Sequence, residues 1–390
     1  MTATRPPIYL DNQATTRCDP RVVDAMLPWF TETYGNPHSA EHAMGRAAET
    51  AVEAARAGIA ALIGAEAREI VLTSGATESN NLAIKGAAGH ARRADDPRRR
   101  IVTLATEHKC VLESVRDLAA DGFEPVVLPV GRDGLLDLDR LRAALAVPTL
   151  LVSVMAANNE IGVLQDLPAI AALTRAAGAL LHTDAAQAVG KVSVDVGIGI
   201  DLLSISGHKI YGPKGVGALY VRRRPRARIA PLFSGGGQER GLRSGTLPAP
   251  LIVGLGAACR IAAEERAAEA ARVGVLRDDV FARLAAALPG LRVNGSRTAR
   301  LAGNLNVTFP AARALDIMAA APALCVSTGS ACSSAAIEPS YVLAAIGLSA
   351  DEAARTLRIG IGRFTSAADV AQAAELLIAA HAVCADRAAA

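Results

Sequence analysis

Two side chains that follow short apolar runs in the middle of the chain could carry out carbonyl chemistry together. Asp184 follows the run 179–182, and Lys209 follows the run 202–205. Burial disfavours the charged form of lysine, and a neutral amine is the form that makes Schiff bases with carbonyl groups. A buried carboxylate needs a cationic or hydrogen-bonding partner. The separation of 25 residues (209 − 184) is enough for one strand-to-strand crossover, so both side chains can reach one pocket.

Two further apolar runs end in small or polar residues. The run 70–73 is followed by Ser74–Ser79 (SGATES), a turn that opens a predicted helix. Free N–H groups and the helix dipole at such a place bind phosphate or carboxylate, although ordinary helix capping explains the same residues. The run 101–105 is followed by TEHK, which puts His108 at the rim of the sheet; a single histidine there can equally be structural.

Together, these junctions favour a pyridoxal phosphate (PLP) site. PLP takes a lysine for its aldimine, an aspartate for its pyridine nitrogen and a cradle of Gly, Ser and Thr for its phosphate. The rival nucleotide sites lack their fingerprints. Residues 207–215 are not a P-loop, and the glycines at 235–237 do not lie between a strand and a helix. A GxSxG nucleophile elbow is also absent from the sequence.

One of the six cysteines differs from the others. They form no CxxC pair and no Cys/His pattern with zinc-ligand spacing. Five are predicted to be small buried side chains or incidental surface thiols. Cys332 lies in the small, polar segment 328–334 (TGSACSS), so we expect an accessible thiol there. The six are Cys18, Cys110, Cys259, Cys325, Cys332 and Cys384.

Strands that alternate with helices must position these side chains. This alternation predicts an α/β fold with a mostly parallel sheet covered by helices on both faces, with ligands at the carboxyl ends of the strands. From Leu251 onward, a long alanine-rich helix through Asp279 and three strand candidates predict a second, α+β domain. The strands of the first domain are predicted at 69–74, 100–105, 125–130, 150–155, 179–182 and 202–205, with a returning strand at 215–222.

Composition excludes several classes of protein. The 390 residues carry 41 Lys+Arg and 38 Asp+Glu, which gives a formal net charge of +3. A net charge this small does not indicate a protein that binds nucleic acid. The hydrophobic share of 51% excludes intrinsic disorder. The longest uncharged stretch, 317–337, contains Pro322 and many Ser and Gly residues, and residues 1–16 lack the apolar core of a signal peptide. We expect no membrane span and a cytoplasmic location.

Ten motifs that run in order from residue 10 to residue 341 identify a family. The sequence resembles cysteine desulfurases of the NifS/IscS type, within the class V aminotransferases of fold-type I. The motifs are LDNQATT (10–16), YGNPHS (34–39), TSGATESNN (73–81), ATEHK (105–109), NNEIG (158–162), TDAAQ (183–187), SGHKIYGPKGVG (206–217), RSGTLP (243–248), GSAC (329–332) and EPSY (338–341).

The resemblance implies a division into two domains. The large PLP-binding domain, with a mostly parallel seven-stranded sheet covered by helices, is expected over residues 18–260. The smaller α+β domain is expected to combine residues 1–17 with residues 261–390. It should carry the loop of the catalytic cysteine, at about 327–340.

The resemblance also assigns roles around the cofactor. Lys209 should form the internal aldimine, Asp184 should keep the pyridine nitrogen protonated, and His108 should stack on the ring and act as an acid or base. The other expected cofactor contacts are Gln187 and Asn159 at the phenolic oxygen, Ala76, Thr77, Ser206, Gly207 and His208 around the phosphate, and Thr246, which should reach the phosphate from the partner subunit of a homodimer.

The implied reaction removes sulfur from L-cysteine. Arg358 and Asn36 should hold the substrate carboxylate, with Asn159 nearby. Cys332 should take the sulfur as a persulfide, leaving L-alanine, and pass it to an acceptor or scaffold protein for iron–sulfur cluster assembly or other thio-cofactor synthesis. The resemblance implies no metal site in the protein itself, with Cys332 as a transient iron–sulfur ligand.

Other functions stay open at this point. A selenocysteine lyase or a related PLP aminotransferase is the nearest alternative, although a transaminase has no use for Cys332. A noncatalytic interaction protein of a sulfur pathway is more distant, because Lys209 and Asp184 are both intact. Many family members that serve a U-type scaffold have a tail beyond the last helix, whereas this sequence ends at Ala390, so a different acceptor is an alternative. The basic run 222–228 is either a partner surface or a solvated hairpin.

Overall fold

The structure is a computed structural model that describes residues 6–329 and 340–389, with side chains as far as residue 385. Its strands are β1 (Ile8–Tyr9), β2 (Ile70–Thr73), β3 (Arg100–Leu104), β4 (Glu124–Leu128), β5 (Thr149–Ser153), β6 (Leu180–Asp184), β7 (Leu202–Ser206), β8 (Gly217–Val221), β9 (Arg292–Val293), β10 (Asn304–Thr308), β11 (Leu324–Cys325) and β12 (Thr356–Gly360). Its helices are α1 (Pro20–Met26), α2 (Pro28–Thr31), α3 (Ala43–Leu62), α4 (Ala76–Arg93), α5 (Lys109–Asp117), α6 (Leu138–Ala144), α7 (Leu167–Ala176), α8 (Ala249–Ala287), α9 (Ala314–Ala320), α10 (Tyr341–Ala345), α11 (Ala350–Ala354) and α12 (Ala367–Ala389).

A seven-stranded sheet in the order β2-β8-β7-β6-β5-β3-β4 holds the polar strand ends that the sequence singled out. The strands from β7 to β4 pair in parallel, whereas β8 runs antiparallel to both of its neighbours, β2 and β7. The predicted mostly parallel sheet and its returning strand are therefore confirmed. The carboxyl ends of β2, β3, β5, β6 and β7 meet at one edge, where open α/β sheets bind ligands.

Alternating side chains along these strands build a core on each face of the sheet. In β2, Ile70 and Leu72 join one cluster and Val71 joins the other. The first cluster packs the sheet against α3, α7 and the first half of α8, and the second packs it against α4 and α5. Helices on both faces fix the strand ends rigidly, which is what a site built from several strands requires.

A third core cluster joins the beginning of the chain to its last third. Ile8 and Leu10 pack with residues of α8, α9 and α12 around the small sheet β12-β10-β9, and β1 pairs in parallel with β11. The long helix α8 serves two cores: Ile252 to Cys259 lie in the first cluster, and Val273 to Leu284 lie in the third. The division at residues 17/18 and 260/261 stays a prediction that this packing agrees with.

One described helix is long and apolar enough to cross a membrane by length and composition. It is α12, over Ala367–Ala385, with a mean hydropathy of 1.3. Its apolar side chains Val370, Ala373 and Leu377 are buried in the third core cluster. The core helix of a globular domain has this same pattern, since one apolar stripe faces the interior.

Candidate active site

The structure brings Asp184 and Lys209 to the same edge of the sheet. Asp184 is the last residue of β6 and pairs in register with Ser204 of β7. Lys209 lies at the end of the single 3₁₀ turn Gly207–Lys209, which directly follows β7. Because β6 and β7 are adjacent and parallel, one crossover connection is enough to place the amine and the carboxylate on neighbouring strand ends.

The Asp184 carboxylate is buried and supplied with hydrogen-bond donors. Its Oδ2 accepts from Asn80 Nδ2 at 2.7 Å, and its Oδ1 accepts from the backbone N–H of Ala186 at 2.9 Å. Only 5% of the residue is exposed. A buried carboxylate needs hydrogen-bond donors of this kind to offset its loss of solvation.

The Lys209 amine is held by main-chain carbonyl groups from the beginning of the chain. Its Nζ donates to Gln13 O at 2.6 Å and to Ala14 O at 2.7 Å. Gln187 Nε2 donates to the same Gln13 carbonyl at 2.8 Å. The LDNQATT segment therefore contacts both Lys209 and Gln187. About 200 residues, or roughly 66 nm of fully extended chain, separate this segment from Lys209 in the sequence.

The turn before α4 forms an open cradle. Gly75, the residue that precedes the helix, has a φ of +147°, and a Cβ added there would meet nothing within 4 Å. The N–H groups of the first helical turn, including those of Ala76 and Thr77, have no partner inside the helix and are free to bind an anion. Ser206 lies across from this turn, at the end of β7, and is buried.

His208 adds a neutral imidazole next to Lys209 in the same 3₁₀ turn. Its Nδ1 lies 3.0 Å from Thr15 Oγ1. Burial, and then the charges of Lys209, Lys214 and Lys191, lower the pKa of His208 to about 4. At neutral pH this ring can therefore donate or accept a hydrogen bond but carries no charge.

His108 precedes α5, and its neutral tautomer follows from its contacts. Its Nδ1 accepts the backbone N–H of Cys110 at 3.2 Å and lies 3.0 Å from Cys110 Sγ. A nitrogen that accepts a backbone N–H carries no proton, so the proton of the neutral ring is on Nε2. Asn80 Nδ2 lies 3.2 Å from the same sulfur and thereby connects His108 with Asp184.

Arg358 is a buried cation in the middle of β12. Its Nη2 forms an ion pair with Asp11 Oδ1 at 2.6 Å, and its Nη1 donates to Asn159 O at 2.9 Å. Its Nε has no hydrogen-bond partner among the described residues, and only 2% of the residue is exposed. A buried guanidinium with one donor unused can bind a second carboxylate.

Two predicted site residues are not part of this cluster, and a third is not described. Asn36 is exposed, and its Oδ1 accepts the backbone N–H of His38 at 3.0 Å. Thr246 is exposed as well on the single chain. Cys332 lies outside the described residues.

The donor set of the cluster fits PLP. The cradle before α4 suits a phosphate, the Asp184 carboxylate suits a ring nitrogen, and the Lys209 amine suits an aldehyde. The buried Asn80 Oδ1 and Thr183 Oγ1 have no partner in the described part of the chain. Buried polar atoms are normally satisfied, so the orphaned Oδ1 of the Asn80 amide, whose nitrogen donates to Asp184, indicates a site built for a polar group.

Comparison with known proteins decides the family. The family described as "Aminotransferase class-V" matches residues 8–372. The chain belongs to this family. Class V aminotransferases and cysteine desulfurases depend on PLP, so the predicted cofactor and enzyme class are confirmed.

Relatives within the class V family are cysteine desulfurases. The chain is 52% identical over 372 residues to cysteine desulfurase IscS of Rickettsia bellii (strain OSU 85-389), which covers 95% of this chain and 90% of that one. It is 52% identical over 365 residues to the cysteine desulfurase of Homo sapiens, with 93% and 79% covered. The predicted resemblance to IscS and NifS is thereby confirmed.

Solved structures of the same family share the fold. A "NifS-like protein" superimposes with a TM-score of 0.89 at 35% identity, over 97% of this chain and 100% of that one. A structure described as "SspA in complex with cysteine" superimposes with a TM-score of 0.80 at 38% identity, over 92% and 99%. The predicted fold-type I architecture is confirmed.

Several residues of the site had no role assigned from sequence. Asp11, Gln13 and Asn80 lie inside motifs that carried the resemblance, so their positions were a signal that their types alone did not reveal. Cys110 is predicted from sequence to be only a small packing side chain or a surface thiol, whereas its sulfur contacts His108. Lys191, four residues after Gln187, donates to Gln187 Oε1 at 2.9 Å and had no sequence signal beyond that spacing.

Proposed function

We propose that this protein is a cysteine desulfurase, which converts L-cysteine to L-alanine and holds the sulfur as a persulfide on Cys332. The observation that carries the proposal is one short segment, residues 11–14, that contacts two separate groups. Asp11 pairs with Arg358, and the carbonyls of Gln13 and Ala14 hold Lys209. A carboxylate-binding arginine and an amine that reacts with carbonyls are thereby held in one pocket, as an amino-acid substrate requires.

Within this proposal, the cofactor would be held by residues from five strand ends, those of β2, β3, β5, β6 and β7. Lys209 would bind its aldehyde carbon, Asp184 its ring nitrogen, and Gln187 and Asn159 its phenolic oxygen, while His108 would stack on the ring. Bound PLP supplies an electron sink for the charge that develops when a substrate loses its α-proton. The phosphate is held by Ala76, Thr77, Ser206, Gly207 and His208, and by Thr246 of a second copy of the chain.

The substrate carboxylate is proposed to bind Arg358, with Asn36 and Asn159 beside it. Arg358 Nη2 already pairs with Asp11, whereas Nε has no partner among the described residues. The substrate carboxylate would therefore bind on the Nε side of the guanidinium group. Lys209 Nζ would then be the base that takes the α-proton, because it is the amine that the Gln13 and Ala14 carbonyls hold at this edge of the sheet.

Sulfur transfer is assigned to Cys332. Its thiolate attacks the substrate sulfur, so that an S–S bond forms as the C–S bond breaks. The electron pair of the C–S bond stays on carbon, and a proton completes L-alanine. Since the sulfur leaves as a persulfide on the protein, no external oxidant is consumed.

The described residues on either side of the Cys332 segment support this assignment. Ser340 Oγ donates to Glu160 Oε2 at 2.5 Å, and a Cβ added to Gly329 would lie 2.9 Å from the same oxygen. Two backbone hydrogen bonds join Ser327 to Arg358: Ser327 N–H donates to Arg358 O at 3.3 Å, and Arg358 N–H donates to Ser327 O at 2.7 Å. Both ends of the segment are thus anchored beside the proposed substrate site.

We extend the proposal to the location, the oligomeric state and the sulfur acceptor of the enzyme. We place the active enzyme as a cytoplasmic homodimer that passes sulfur to an acceptor or scaffold protein of iron–sulfur cluster assembly, or of other thio-cofactor synthesis. Cys332 then also serves as a transient cluster ligand. Related proteins include both bacterial IscS enzymes and enzymes named as mitochondrial.

Product analysis tests the proposed function. Purified protein with PLP, L-cysteine and a thiol reductant should release L-alanine and sulfide in equal amounts, measured by amino-acid analysis and by a sulfide assay. Pyruvate as the product, or a requirement for a keto-acid acceptor, would contradict desulfuration and favour an aminotransferase. Turnover of L-selenocysteine without turnover of L-cysteine would favour a lyase. A purified protein without a visible PLP band would favour the noncatalytic alternative.

Substitution of Arg358 tests the substrate site separately. Arg358→Lys keeps the charge beside Asp11 but loses the planar fork that binds a carboxylate through two parallel hydrogen bonds. We expect KM for L-cysteine to rise by roughly 10- to 100-fold, since hydrogen bonds to charged groups contribute about 1.5–3 kcal/mol. Steady-state kinetics measures this, with the PLP band as the check on cofactor binding.

The matched control is Arg116→Lys, which makes the same change at an exposed side chain paired with Glu113. Its KM should equal that of the unchanged protein. If Arg358→Lys has an unchanged KM as well, then Arg358 does not bind the substrate carboxylate.

A further inference from the structure

Lys191 is a half-buried lysine beside the site that the proposed reaction does not use. It follows Gly190, whose φ of +76° turns the chain after β6. It lines a cavity together with Asn12, Gln13, Tyr211, Arg266 and Glu269. Its Nζ donates to Gln187 Oε1 at 2.9 Å.

This contact determines which way the Gln187 amide points. An ammonium group only donates hydrogen bonds, so the amide atom that faces it must be the oxygen. The nitrogen is then turned to the opposite side, where one of its N–H groups donates to Gln13 O at 2.8 Å. That carbonyl also accepts from Lys209 Nζ at 2.6 Å, so the second N–H of Gln187 is available to a group bound at Lys209.

The surroundings of Lys191 lower the pKa of its amine, so the ammonium form that fixes the amide is the main form below about pH 7. Burial lowers the pKa of Lys191 to about 7, and the charges of Lys209 and Arg358 act in the same direction. The Glu269 carboxylate opposes them. The other ionisable side chains that line the cavity are Arg266 and Tyr211. With Gln187 only 4% exposed, water has little access with which to replace the lysine as the partner of Oε1.

We propose that Lys191 is a positioning residue that fixes the Gln187 amide with its Nε2 toward the phenolic oxygen of the bound cofactor. The inference rests on the proposed function, because it takes the cofactor at Lys209 and Gln187. A free amide would present oxygen to the phenolate as readily as nitrogen, and an oxygen there is repulsive. Lys191 removes that second orientation without touching the cofactor.

The pH titration of the visible band of the PLP-loaded protein tests the role of Lys191. Lys191→Gln removes the ammonium but keeps a polar group in the cavity, and Lys191→Met is the second variant. A donor at the phenolate weakens proton binding at the nitrogen that links Lys209 to the cofactor. We therefore expect the apparent pKa of the band to rise by about 0.5 to 1 unit, the size of one hydrogen bond. Thermal unfolding shows which variant is folded.

A double-variant comparison separates positioning from simple charge removal. In a Gln187→Ala background, Lys191→Gln should shift the band by less than half as much as it does with Gln187 present. Lys85→Gln, which changes a lysine paired with Asp117 on the far side of α4, is the matched control and should shift nothing. Lys191→Arg, which keeps a donor, should restore most of the original titration.

Two results would overturn the proposal: no shift with either Lys191 variant, or the same shift whether or not Gln187 is present. The titration needs only bound PLP, so its failure is distinguishable from failure of the desulfuration assay. Absence of a visible band in the unchanged protein would overturn both proposals.

Discussion

Lys209→Ala should abolish turnover of L-cysteine and remove the visible band of lysine-linked PLP. The variant loses the amine that binds the cofactor aldehyde and that moves the α-proton. Positioned acid–base groups alone contribute about 10²–10⁴-fold, so we expect a loss of roughly 10³-fold or more. Alanine release from L-cysteine and the absorption spectrum of the loaded protein measure the two effects.

The fold should survive this change with a modest loss of stability. Gln13 O keeps the hydrogen bond from Gln187 when Lys209 is removed, and Ala14 O loses its lysine donor. Lys85→Ala, at a surface ion pair, is the comparison and should keep both the band and the activity. A Lys209→Ala protein that turns over L-cysteine within tenfold of the unchanged protein would exclude Lys209 as the reacting amine.

The parts of the site that lie on the sheet were predictable from sequence. Apolar runs of four to six residues that alternate with helices predict a parallel sheet, and adjacent parallel strands place their carboxyl ends together. Asp184 and Lys209 follow from that rule alone. The strand-like run 215–222 that follows Lys209 is predicted to return, and β8 does run antiparallel between β2 and β7.

The contacts between distant segments could not be predicted. Asp11 and Arg358 are 347 residues apart, and Lys209 and Gln13 are 196 residues apart. Periodicity and propensity are local properties, and they say nothing about which polar groups meet after two domains have packed. The resemblance identified Arg358 and Lys209, but it gave no partner for either of them.

The same limit applies to the cysteines. Composition treats six thiols alike, whereas the structure distinguishes those that it describes. Burial raises the pKa of Cys259 to about 12, and burial followed by the Asp19 charge raises the pKa of Cys18. Neither thiol is then a ready nucleophile near neutral pH, because the thiolate is the reactive form.

Cys332→Ala should stop sulfur transfer while leaving the cofactor in place. Lys209, Asp184 and the cradle before α4 are untouched by this change, so the PLP band should be unchanged and L-cysteine should still perturb it. Without the attacking thiolate the C–S bond is not broken, and we expect the release of L-alanine to fall by at least about 10³-fold. Mass spectrometry after one addition of L-cysteine should find no added sulfur atom on the protein.

Cys110 supplies the best control for that experiment, because its sulfur lies 3.0 Å from Nδ1 of His108, a residue of the proposed cofactor site. Cys110→Ala should keep persulfide formation and most of the activity, since the Cys110 sulfur contacts His108 and Asn80 and has no part in the proposed sulfur transfer. If Cys332→Ala is active and the double variant Cys110→Ala, Cys332→Ala is not, then Cys110 is the nucleophile and the assignment to Cys332 is wrong. A Cys332→Ala protein that fails to bind PLP would instead make the thiol part of the cofactor site. Three results together therefore separate the sulfur-accepting role of Cys332 from every role of Lys209. They are a normal PLP band before substrate is added, a change in that band on addition of L-cysteine, and no persulfide on the protein.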